Sequence, residues 1–102
     1  MYICHTKIFR MVIPVRRRQL PDLNQTSVIY YKENEYCVIN ENNQYFIIDN
    51  LCPHKEASLG LGKVEGDEII CPLHQYRFNF KTGQCSIERF NTRCYEIEIL
   101  ED

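Results

Sequence analysis

Apolar and polar residues alternate with a period of two along most of this chain, and no stretch sustains the 3.6-residue spacing of a long helix. Lys7 to Ile13 places Phe9, Met11 and Ile13 on one side of a first strand. Pro14, the run Arg16-Arg17-Arg18 and the turn-rich Leu20-Pro21-Asp22-Leu23-Asn24 then read as a loop. Ser27 to Lys32 is rich in β-branched and aromatic residues and predicts a second strand, broken by Glu33-Asn34-Glu35. Tyr36 to Asn40 and Gln44 to Asp49 follow as a hairpin around Glu41-Asn42-Asn43. Lys63-Val64-Glu65 and Glu68-Ile69-Ile70 flank Gly66-Asp67, a credible two-residue turn. Tyr76, Phe78 and Phe80 alternate with Arg77, Asn79 and Lys81 up to Thr82-Gly83, and residues 93–100 turn Tyr95, Ile97 and Ile99 inward with Glu96 and Glu98 outward. The pattern predicts an all-β fold, a small antiparallel β-sandwich or partial barrel.

With 102 residues, residues 1–102 make one domain, small enough that a metal tying loops together would help to stabilise it. Seven Tyr and five Phe supply core, and a net charge of −2 favours neither disorder nor nucleic-acid binding. Six cysteines raise the possibility of a secreted disulfide scaffold. The early apolar run Met11-Val12-Ile13-Pro14-Val15 is too short for a signal peptide, which points to a reducing compartment and a cytoplasmic location. Lys7, Arg10 and Arg16 to Arg18 precede the first acid, Asp22, as in a transit peptide, but that stretch holds no Ser and carries a strand pattern. No apolar run approaches the roughly 20 residues that span a bilayer, so no membrane anchor is expected.

Candidate chemistry concentrates between Cys52 and Phe80. Two short motifs, C-x-H at Cys52/His54 and C-x-x-H at Cys71/His74, stand sixteen residues apart, with Gly60, Gly62 and Gly66 between them. Two thiolates and two imidazoles suit either a tetrahedral structural zinc or a [2Fe–2S] cluster. Zinc sites tend to pair ligands by type, whereas each loop here supplies one Cys and one His, which fits a cluster better. Cys4, Cys37, Cys85 and Cys94 form no second recognisable site and read as unbridged thiols, mostly small buried hydrophobes.

These ligand motifs, the run G-K-V-E-G-D-E-I-I-C-P-L-H and the following R-F-N-F-K-T-G resemble the Rieske [2Fe–2S] family, notably its small bacterial-type ferredoxins and the small subunit of NADH-dependent nitrite reductases. The resemblance is close over residues 45–85. It implies two ligand loops at one end of the domain, with Cys52 and Cys71 on one iron and His54 and His74 on the other. With two neutral imidazoles the cluster would run from zero to −1 on reduction, against −2 to −3 with four thiolates, so it would accept an electron more readily than a plant-type ferredoxin. All metal positions would be filled and no acid/base pair stands nearby, so the chain is expected to carry single electrons and to catalyse nothing itself.

Its expected partners are redox proteins, a reductase and a terminal oxidoreductase such as an oxygenase. The alternatives are a small subunit bound within a nitrite reductase-like complex and a structural zinc-binding interaction module. The disulfide cysteines and the Ser and Tyr donors of high-potential relatives match Ala57, Leu73, Tyr76 and Phe78 here, which implies a low potential. Relatives often continue past the last strand, so that strand is expected to lie at an edge unless a partner covers it.

Overall fold

A computed structural model describes residues 11–52, 57–73, 75–86 and 90–101. The strands are β1 (Val12–Arg16), β2 (Thr26–Tyr31), β3 (Asn34–Glu41), β4 (Gln44–Asp49), β5 (Lys63–Glu65), β6 (Glu68–Ile70), β7 (Arg77–Asn79) and β8 (Cys94–Leu100). The described residues include two short 3-10 turns, Arg17–Gln19 and Leu59–Leu61. One sheet has the order β1-β8-β4-β3-β2, the other β5-β6-β7.

The all-β expectation holds, with one departure from antiparallel pairing: β1 runs parallel to β8, from Val12 opposite Glu96 to Arg16 opposite Leu100. The first strand also lies later than the alternation suggested. Ile13 and Val15 are its buried pair, Met11 is half exposed, and Phe9 lies outside the described residues. Pro14 sits inside β1 rather than ending it, which is tolerable because β1 is an edge strand and a missing N–H can face away from its neighbour. The last strand is not an edge at all, since β1 covers one side of it and β4 the other.

Packing explains the longest buried run. Five successive residues of β3, Tyr36 to Asn40, are inaccessible because both faces of the strand are covered. Tyr36 and Val38 join Ile13, Val15, Ile29 and Ile47 inside the curl of the larger sheet. Cys37 and Ile39 face the other way, with Ile48, onto Ile69, Phe78 and Phe80 of the smaller sheet. That second core ends at Cys52 and Cys71.

Hairpin turns set the registers. Lys32 and Glu33 take φ of 49° and 69°, and Asn42 and Asn43 take 52° and 69°, both two-residue turns with left-handed central residues. Asn34 and Glu35, expected in a break, are instead the first residues of β3. The Gly66-Asp67 turn between β5 and β6 is as expected, with Gly66 at φ 62°.

Candidate metal centre

Each expected ligand cysteine leaves the end of a strand and starts a loop closed in the same way. Cys52 follows β4 by three residues, and its N–H donates to the Ala57 carbonyl at 2.8 Å. Cys71 follows β6 directly, and its N–H donates to the Tyr76 carbonyl, also at 2.8 Å. Both closures bridge five residues, so two loops of matched size stand side by side. Leu51 bridges to Ser58 behind the first loop, while Gln75, at φ 62°, turns the second back with its N–H on the Cys71 carbonyl at 3.1 Å.

The two sulfurs converge. Cys52 and Cys71 are both 0% exposed, lie in one buried cluster and are within hydrogen-bonding reach of each other. Burial pushes the Cys71 thiol above its usual range, the Leu73 backbone N–H opposes this by hydrogen bonding to the sulfur, and the neighbouring Cys52 and Cys85 thiols add to the upward shift. None of Cys37, Cys52, Cys71, Cys85 and Cys94 is in a disulfide, and Cys4 lies outside the described residues. A buried thiol that resists ionisation, with a second buried cysteine sulfur beside it, is poorly placed alone and well placed for a cation, since a coordinated thiol is deprotonated outright. The donor set on the described side therefore fits an iron held by two cysteines.

His54 and His74 fall outside the described residues, and among the described residues no group of three or more His, Cys, Asp and Glu side chains converges.

Close packing brings the loops together. A Cβ on Gly62 would collide with the carbonyl of Ile70, the residue before Cys71, so only glycine lets the exit of the first loop lie against the entrance of the second. Gly60 is similarly pressed on the Val28 side chain. Leu51 and Leu73, within two residues of the cysteines along the chain, are 44% and 53% exposed. An open cleft of about 720 Å³ lined by Phe46, Phe80, Lys81 and Cys94 includes neither Cys52 nor Cys71.

The side chains of Ala57, Leu73 and Phe78 carry no hydrogen-bond donor. Ala57 packs on the core, Phe78 is fully buried and Leu73 is exposed. The Tyr76 ring stacks on Phe90 at 5.7 Å. Two features escaped the sequence: Cys85 lies beside Cys71 in the same buried cluster, and Asn50 is wholly buried just ahead of Cys52. Cys85 could have been suspected from its place after the aromatic strand. Asn50 carried no signal, because an Asn after a strand reads as an ordinary turn residue.

Comparison with known proteins agrees with this geometry. The Rieske [2Fe-2S] domain profile matches residues 11–96. The ferredoxin component of the naphthalene 1,2-dioxygenase/salicylate 5-hydroxylase systems of Ralstonia sp is 34% identical over 84 residues, covering 78% of this chain and 81% of that one. The naphthalene 1,2-dioxygenase system ferredoxin component of Pseudomonas putida is 37% identical over 67 residues, 64% of each chain. Among solved structures, the ferredoxin of carbazole 1,9a-dioxygenase from Nocardioides aromaticivorans IC177 superposes with a TM-score of 0.70 at 28% identity, covering 86% of this chain and 85% of its own.

Proposed function

Because the chain belongs to the Rieske [2Fe-2S] domain family and so holds a [2Fe–2S] cluster, we propose that it is the ferredoxin component of an oxygenase system, a one-electron carrier between a reductase and a terminal oxygenase. Cys52 and Cys71 hold one iron in this reading, and His54 and His74 the other. The observation that carries it is the meeting of two buried cysteine sulfurs from two loops of matched closure at the end of the second core.

When bound, the cluster supplies reversible uptake of a single electron. The protein's own residues set the conditions for that. Ile48, Leu59, Phe78 and the rest of the core exclude water from behind the two cysteines. The Leu73 N–H, aimed at the Cys71 sulfur, stabilises negative charge there. Leu51 and Leu73, exposed beside the cysteines in the chain, offer a partner apolar contact where a short transfer distance is attainable.

The free-carrier reading is preferred to a bound nitrite reductase subunit because the relatives and the solved structure above are ferredoxin components. No helix among the described residues is long and apolar enough to cross a membrane, and we place the protein in the cytoplasm with its redox partners. The test is to reduce the purified protein and mix it with the oxygenase component of a naphthalene dioxygenase system, or with that of its own host. Reoxidation whose rate rises with oxygenase concentration is expected. A reduced protein indifferent to both oxygenases, and found only in a large stable complex in extracts of its host, would overturn the free-carrier reading.

A further inference from the structure

Asn50 is the most completely engaged polar side chain near the candidate metal centre. It is 0% exposed, lies between β4 and Cys52, and uses both ends of its amide. The Nδ2 group donates to Glu35 Oε1 at 2.9 Å and to Ser58 Oγ at 3.0 Å. Oδ1 accepts the Gly60 N–H at 2.8 Å and the Ser58 hydroxyl at 3.2 Å. The main chain repeats the pattern, with the Asn50 N–H on the Glu35 carbonyl at 3.2 Å and the Leu59 N–H on the Asn50 carbonyl at 2.7 Å.

These bonds join the two arms of the first ligand loop to each other and to the start of β3. Residues 50–52 form the outgoing arm and residues 57–60 the return. The return arm is fastened independently to β2, since the Thr26 hydroxyl donates to the Gly60 carbonyl at 2.7 Å and Gly60 abuts Val28. The amide orientation is fixed by its partners: a backbone N–H demands the oxygen and a carboxylate demands the nitrogen. A side chain with a donor at one end and an acceptor at the other is required, and no apolar or acidic residue of similar size meets that demand.

We propose that Asn50 is a positioning residue for the cluster: its amide clamps the first ligand loop and so controls both how long the cluster is held and the potential at which it accepts an electron. The proposal rests on Cys52 being a ligand, as in the function proposed above. A loop held at both arms keeps the Cys52 sulfur at a fixed place relative to Cys71. Loosening the clamp moves one ligand while the second loop stays put, which is the condition for cluster loss and for altered charge around the bound sulfur.

The test uses the full chain, loaded with cluster, and follows bleaching of the visible absorbance under a chelator together with the midpoint potential. Asn50→Asp still accepts from Gly60 but cannot donate, and it sets a second carboxylate against Glu35. It is expected to bleach about 10–100-fold faster than the unaltered protein, with a displaced potential. The double variant Glu35→Gln/Asn50→Asp has the net charge of the unaltered protein, and its introduced amide donates to its introduced carboxylate. It should return to within about threefold of the original bleaching rate and to the original potential. Should Asn50→Asp fail to fold, Ser58→Ala is read instead, and it too should bleach several-fold faster while keeping the far-ultraviolet circular dichroism of the unaltered protein. Original bleaching rate and potential in Asn50→Asp, or in Ser58→Ala when that is the variant read, would overturn the proposal, as would a double variant as labile as the single one. An unaltered protein that contains no iron would remove the functional reading itself, a result distinct from all of these.

Discussion

Gly62 and Gly66 are both glycines of the segment between the ligand loops, and the structure gives them different duties. At Gly62 a methyl group would meet the Ile70 carbonyl, so Gly62→Ala must push the two loops apart. Overpacking of this kind costs about 1–3 kcal/mol, and because the displaced strand leads into Cys71, iron per chain should fall along with the melting temperature. At Gly66 nothing lies within 4 Å of the added methyl, but φ is 62°. Gly66→Ala should therefore cost about 1 kcal/mol of stability and leave the iron content unchanged. Iron assays and thermal melts on the two variants check both outcomes. The ligand cysteines were legible in the sequence because chemistry at short spacing leaves a pattern. The fit of Gly62 against Ile70 was not, because it depends on a contact made only when the loops meet. The side chains of Ala57, Leu73 and Phe78 add no donor to the one Leu73 N–H at the Cys71 sulfur, so the midpoint potential is expected near the bottom of the Rieske range, about −150 mV; a value in the upper part of that range, toward about +300 mV, would contradict this.

Among the elements, β4 and the β5–β6 hairpin match their sequence expectations residue for residue, because turn chemistry and alternation agree there. Strand β3 is legible in the sequence by position but not by burial. Its unbroken run of buried residues reflects two cores, and alternation assumes one buried face. β1 lies later than the sequence pattern predicts because Pro14, a strand terminator by composition, is held within an edge strand. The turn joining β2 to β3 uses Lys32 and Glu33 in left-handed conformations that Asn and Gly adopt far more easily. Lys32→Asn/Glu33→Gly should raise stability by about 1 kcal/mol, read as a higher denaturant midpoint with an unchanged slope. An unchanged or lowered midpoint would mean that the turn is not of the two-residue kind described.

For the whole molecule, the two sheets meet through the core beneath the cysteines and through Lys81, whose ammonium reaches Glu41 of the larger sheet at 3.4 Å and Asp67 of the β5–β6 turn at 3.0 Å. Lys81 and Asp67 are substantially exposed and Glu41 is less so, so Lys81→Met should cost no more than about 1 kcal/mol at low salt, and less at high salt. Acid acts on the fold in two opposite senses. The hydrogen bond from Lys81 holds the Asp67 carboxyl below its usual range, so its contribution is present at neutral pH and lost as pH falls. Burial raises the Asp49 carboxyl, outweighing the Tyr95 hydroxyl at 2.6 Å and the charge and backbone N–H of Arg93. Its contribution is full below the ordinary carboxylate range and lost as pH rises through the raised value. The unaltered protein should therefore lose stability relative to Asp49→Asn between about pH 3 and pH 7, as thermal melts across that range would record. How the sheets stack was beyond the sequence, since alternation fixes which face of a strand is apolar and not which neighbour covers it. The claim on which the account depends is that Cys52, His54, Cys71 and His74 hold a one-electron cluster. Iron, zinc and acid-labile sulfide assays, combined with coulometric reduction of the same purified sample, test it most directly. About two irons, two sulfides and one electron per chain are expected, all lost in His54→Ala and His74→Ala, while one zinc per chain with no sulfide and no electron uptake would contradict it.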